Sequence, residues 1–146
     1  MTLSEVHPRP AVASRRVGYV LAAMIDAALL YAVNAWPGWD AVPFLTPDTA
    51  AVLGPVNASL LVGLVANAVY VVHDAWPVRA LGDLATTSVG LVALVRLWQV
   101  FPFDFGAAAS SWDLVARVLL ALGILGSVVA IVVALVRLVR GPARRR

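Results

Sequence analysis

VGYVLAAMIDAALLYAVNAW, residues 17–36, carries a single charge, Asp26, in an otherwise apolar run. A helix of about 20 residues rises ~30 Å, the thickness of a bilayer's hydrocarbon core. Three further runs, at 52–73, 78–101 and 112–140, read the same way. They are continuous and rich in Ala and Leu, whereas a membrane β-barrel shows segments of about ten residues with alternating polarity. The expected fold class is therefore all-α, a transmembrane four-helix bundle. It occupies 16–140, between an N-terminal tail at 1–15 and a basic C-terminal tail at 141–146.

Local signals bound each run. Trp36-Pro37-Gly38 stops the first, and Thr46-Pro47-Asp48 reads as an N-cap followed by Pro at the first helical position. Asp74-Ala75-Trp76-Pro77 separates the second and third, Phe101-Pro102 ends the third, Ser111 is placed to cap the fourth, and Gly141-Pro142 closes it. Gly54-Pro55 is expected to kink the start of the second helix. Ser14-Arg15-Arg16 has the look of a twin-arginine signal, but the apolar stretch is too long for a signal h-region and Asp26 interrupts it. The first span is read as a retained helix.

Composition agrees. Of 146 residues, 62% are hydrophobic and only 13% charged, about half the charge of a soluble domain. Ala, Val and Leu supply 73 residues. There is no Cys, which excludes disulfides, thiolate metal sites and thiol redox chemistry. All 11 basic residues are Arg, and the only Glu is Glu5, a bias that fits a high-GC genome. The isoelectric point of about 10.2 is not a nucleic-acid signal, because the excess Arg lies at the chain ends and orients the chain in a membrane. Arg9, Arg15 and Arg16 precede the first span, Arg79 lies between the second and third, and Arg137, Arg140 and Arg144–Arg146 end the chain. The connections at 37–51 and 102–111 contain no Arg. By the positive-inside rule both termini and the 74–77 turn are cytoplasmic, in a multi-pass protein of the plasma membrane.

Helical rise sorts the intramembrane polar residues into layers. Asp26, Asn67, Thr86, Thr87 and Ser88 fall roughly 9–14 Å from the cytoplasmic boundary. Asn34, Asn57, Arg96 and Arg117 fall roughly 4–8 Å below the outer one. Asp26 needs a partner or an inward face, since a carboxylate near the bilayer centre costs about 2.5–3.5 kcal/mol on insertion scales. It is either a protonatable site in a transport pathway or packing glue, hydrogen-bonded to Asn67 or to a Thr of the third helix. Arg96 and Arg117 sit on antiparallel neighbours and need acids. Either they form an anion or lipid-headgroup site, or each snorkels outward and ties down a loop through Asp104, Asp113 or an Asp of the first outer loop. His7 and His73 are the only histidines, too few for bis-His haem in the membrane. No metal or other cofactor is implied.

Three stripes of small residues suggest close helix contact: Ser59, Gly63 and Asn67; Gly82, Thr86 and Gly90; Gly126, Ala130 and Ala134. The partners they allow are the chain's own helices, a second copy or another membrane protein, besides the lipid bilayer itself. Eight of the twelve aromatics lie near the outer face. Trp36, Trp98 and Trp112 suit an interfacial belt, while Trp39, Phe44, Phe103 and Phe105 exceed it, so the two outer loops are expected to fold onto the end of the bundle.

The runs Val33-Asn34-Ala35-Trp36-Pro37-Gly38-Trp39 and Trp98-Gln99-Val100-Phe101-Pro102-Phe103-Asp104-Phe105 resemble those of small four-span membrane proteins of high-GC actinobacteria, a group without an assigned activity. That resemblance implies topology alone. The chain is also weakly similar to small multidrug resistance transporters, which have four short helices and one acid in the first. Here the acid is Asp26 rather than Glu, and the outer loops are longer. With no Ser/His/Asp set, metal cluster or glycine-rich phosphate loop, an enzyme is not expected. The leading reading is a structural or accessory membrane protein acting through helix packing and its aromatic outer loops. The alternative is a small proton- or ion-coupled transporter using Asp26.

Overall fold

The computed structural model describes residues 12–141. His7, Arg9, Pro142 and Arg144–Arg146 lie outside the described residues. Four α-helices make up the fold: α1 (Val12–Asn34), α2 (Leu53–Val72), α3 (Trp76–Val100) and α4 (Ala109–Arg140). All four are long and apolar enough to cross a membrane. A bilayer offers no hydrogen bonds to peptide groups, so continuous apolar runs close their own backbones as helices.

The boundaries differ from the sequence expectation where capping does. α1 already includes Val12, the first described residue, so Arg15 and Arg16 stand on the helix rather than in a tail. Thr46 stands at the N-cap position of a separate 3-10 turn, Pro47–Ala51, without a side-chain capping bond, and α2 starts only at Leu53. Gly54 and Pro55 then fall within the first turn of α2, where Pro's missing N–H leaves no helical bond unmade. Ala108, not Ser111, is the N-cap of α4. Phe101 ends α3 in the left-handed region at φ 45°, its N–H returning to Leu97 O at 2.8 Å.

The helices run antiparallel and pack as a row. α1 lies on α2, α2 on α3, and α3 on α4, so α1 and α4 each have one closely packed helix neighbour. Few side chains are consequently buried: the apolar core among the described residues is Val52, Tyr70, Ala93 and Leu120. In water so much exposed Val and Leu would aggregate. In a bilayer those faces meet lipid, and association relies on close packing instead.

Each interface of the row is built on a glycine. Asp26 of α1 rests against Gly63 of α2, where an added Cβ would come within 2.7 Å of Oδ2. Tyr70 of α2 lies over Gly82 of α3, its hydroxyl occupying the space of a Cβ. Leu94 of α3 lies over Gly123 of α4, 3.2 Å from a Cβ there. The expected stripes are thus used in part. Gly63 and Gly82 carry contacts, while Gly90 and Gly126 have open space where a Cβ would be. Gly123 was not singled out by the small-residue pattern.

Candidate functional site

Two ends and a middle can be distinguished. The basic end gathers the start of α1, the α2–α3 turn and the end of α4. Its centre is Asp74, whose side chain is only 8% exposed. Arg15 Nε lies 3.2 Å from Asp74 Oδ2, and Arg79 Nε lies 3.0 Å from Oδ1. The Tyr19 hydroxyl donates to the same Oδ1 at 3.4 Å. Tyr19 packs edge-on against Tyr70, with ring centroids 5.3 Å apart. The Tyr70 hydroxyl donates to Asp83 Oδ1 at 2.9 Å and lies 3.2 Å from Arg79 O.

This cluster follows from helical spacing. Arg15 and Tyr19 share a face of α1, and Arg79 and Asp83 share a face of α3, each pair four residues apart. Tyr70 and Asp74 bracket the end of α2. The antiparallel row brings all three sets to one level, tying α1, α2 and α3 together. Two arginines against two aspartates make the cluster formally neutral. Its chemistry is that of a clamp of paired charges and hydroxyls, in which Asp74 Oδ2 and Arg79 Nε are held by ion pairing without a hydrogen bond. Sequence reasoning did not select Asp74, Asp83, Tyr19 or Tyr70 as a set, although their common depth was a usable signal.

In the middle, Asp26 is half-buried on Gly63 and has no hydrogen-bond or ion-pair partner among the described residues. The expected bond to Asn67 or to Thr86 or Thr87 is not formed. Asn67 donates instead to Gly63 O of its own helix at 2.9 Å, and Thr86 donates to Asp83 O at 3.1 Å. Ser88 likewise turns back to Leu84 O at 2.7 Å. α1 packs on α2 and not closely on α3, and Asp26 meets Gly63 of α2 rather than a Thr of α3. Small polar side chains in helices commonly satisfy themselves on a carbonyl three or four residues back. Thr86 and Thr87 line a groove of about 470 Å³ with Ser59, Gly90 and Ser127.

At the aromatic end, Asn34 of α1 and Asn57 of α2 exchange amide hydrogen bonds of 2.8 and 2.7 Å. Their common depth was legible; their pairing joins two helices as it satisfies both amides. The 37–51 and 102–111 connections also meet each other at this end. Thr46 N donates to Pro102 O at 3.0 Å, Asp104 N donates to Phe44 O at 2.9 Å, and Leu45 bridges to Phe103. Phe44 stacks on Phe105, Phe105 on Phe103, and Phe103 meets Phe101 edge-on.

Arg96 and Arg117 do reach this end, but the expected ties to Asp104 or Asp113 are absent among the described residues. Arg117 lies over the Phe101 ring, 4.1 Å from its centroid, and 5.6 Å from that of Trp98. Arg96 bonds only Gln99 of its own helix, at 3.4 Å. Asp104 is used within its loop, accepting from Gly106 N at 2.9 Å, and Asp113 Oδ1 is buried without a hydrogen-bond partner. The ring faces of Phe101 and Trp98 take the place of a carboxylate for Arg117 in a cation–π contact.

Among the described residues, no group of three or more His, Asp or Glu side chains is placed to hold a metal ion. The class these features define is that of an integral membrane protein with four apolar spans, clamped at one end by ion pairs and capped at the other by aromatic loops. Compared with known proteins, the chain matches no family model, no curated protein and no solved structure.

Proposed function

We propose that this chain is a structural or accessory protein of the plasma membrane, working through static contacts of its helix faces and its aromatic cap rather than by moving a solute or catalysing a reaction. The observation that supports this reading is the separation of its polar groups. The Asp74 ion pairs, the Asn67, Thr86 and Ser88 side chains, and the Asn34–Asn57 pair each find their partners locally. No chain of described polar side chains links one level to the next, and proton or ion transfer needs such a relay or a water-filled path. The Arg distribution places the basic end in the cytoplasm and the aromatic cap outside. The free faces of α1 and α4 are open to lipid, to a second copy or to another membrane protein.

Asp26 favours the second reading, a proton- or ion-coupled transporter, because it is an intramembrane carboxylate without a protein partner among the described residues. Purified chain in vesicles with an internal pH-sensitive dye separates the two. The parent and its Asp26→Asn variant are expected to give the same flux as empty vesicles, with or without an imposed ion or organic-cation gradient. A flux in the parent that Asp26→Asn abolishes would make the chain a transporter.

A further inference from the structure

At the basic end, a cleft of about 650 Å³ opens between the start of α3 and the end of α4. Trp76 forms one wall; Val132, Val133, Val136, Arg137 and Arg140 form the other. The ion pairs among the described residues, Arg15–Asp74 and Arg79–Asp74, leave Arg137 and Arg140 without a carboxylate. Both stand three residues apart on one face of α4, the last charged turn of the helix. The three valines continue that wall toward the membrane and are 41–54% exposed. Opposite them α3 begins with no side-chain cap on its first turn, so the positive end of its dipole adjoins the cleft.

We propose that this cleft binds the headgroup of an anionic phospholipid. The lipid phosphate lies between Arg137 and Arg140, and one acyl chain runs along Val136, Val133 and Val132 beside the Trp76 ring. Charge and depth argue for this occupant together. Two unneutralised guanidiniums face a cleft whose remaining lining is apolar, at the level where Trp marks a membrane interface. A basic pocket between transmembrane helices matches a lipid phosphate in sign and location, and its volume is that of a small-ligand site. Nearby, Arg15 and Arg79 are balanced by Asp74 and Asp83 and offer no comparable field.

The test uses a chain in which Trp36, Trp39, Trp98 and Trp112 are replaced by Phe, leaving Trp76 as the reporter. In phosphatidylcholine vesicles, brominated phosphatidylglycerol should quench Trp76 more than the same fraction of brominated phosphatidylcholine. At roughly a factor of five per arginine, Arg137→Gln with Arg140→Gln should cut the phosphatidylglycerol preference by about 25-fold. Arg96→Gln, at the opposite end, should leave it unchanged. Glycerol phosphate in solution should not displace the brominated lipid. Equal quenching by both lipids, or a preference that survives the double substitution, overturns the proposal. Displacement by glycerol phosphate overturns the acyl-chain half and makes the cleft a site for soluble phosphate. Should the four Phe replacements unfold the chain, native mass spectrometry of the parent and of Arg137→Gln/Arg140→Gln supplies the same comparison. Retention of phosphatidylglycerol over phosphatidylcholine by the parent alone supports the site, and equal retention by both proteins refutes it.

Discussion

Gly82→Ala should be the most damaging single methyl group that can be added to this chain. The new Cβ would overlap the Tyr70 hydroxyl and approach two ring carbons at 2.8 and 2.9 Å. Tyr70 is 5% exposed, and the space beside it is a cleft of about 370 Å³ that it lines with Gly82, so it can move only by giving up its present contacts. Either α2 and α3 separate, or the Tyr70–Asp83 hydrogen bond breaks. Overpacking of this kind costs about 1–3 kcal/mol and a lost hydrogen bond ~1 kcal/mol, against which alanine's helix propensity offsets less than ~1 kcal/mol. A net loss of about 2 kcal/mol is expected in reversible unfolding from mixed micelles. Gly90→Ala and Gly126→Ala, with nothing within 4 Å of the added carbon, should be neutral or slightly stabilising. Adding Tyr70→Phe to Gly82→Ala should recover part of the loss, because the nearest atom goes while the ring carbons stay. Equal effects at Gly82 and Gly90 would show that the α2–α3 interface is not built on this contact.

Asp74→Ala is the second large effect. It leaves Arg15 and Arg79 without their shared carboxylate and Tyr19 without its acceptor. Removing one partner of a fully buried ion pair costs about 3–5 kcal/mol. Arg15 and Arg79 are 42% and 34% exposed, so water recovers part of their solvation. A loss of about 2 kcal/mol is the appropriate expectation once surface screening is allowed for. In a double-mutant cycle, adding Arg79→Gln to Asp74→Ala should cost little more than Asp74→Ala alone. Asp104→Ala, at a carboxylate used only within its own loop, should cost far less. Strict additivity of Asp74 and Arg79 would dissolve the clamp.

The spans were legible because an apolar run long enough to cross a bilayer has few other stable conformations. The antiparallel order and the levels of Asn34 and Asn57 followed from helical rise alone. The row was not legible: residues facing lipid and residues facing a neighbouring helix are equally apolar, so no moment distinguishes an edge helix from a central one. That is why Asp26 was expected to bond Asn67 or a Thr of α3, whereas it rests on Gly63 of α2. Asp74 was read as a turn residue because two of its three partners, Arg15 and Tyr19, lie far away in sequence. The evidence for it was present in the four-residue spacings Arg15/Tyr19, Tyr70/Asp74 and Arg79/Asp83, all at one depth. For Arg117, charge complementarity pointed to aspartate, but the structure supplies the faces of Phe101 and Trp98, a partner that charge counting does not register.

The account stands on a dry midplane between a clamped basic end and a capped aromatic end, and thiol labelling tests it directly because the chain has no native Cys. Single Cys variants at Ser14, Asp26 and Ser110 would be treated with a membrane-impermeant thiol reagent, applied to intact cells and to inverted membrane vesicles. Ser110→Cys is expected to label only in cells and Ser14→Cys only in inverted vesicles, while Asp26→Cys labels in neither. Labelling of Asp26→Cys from either side would place water at the midplane and contradict the account.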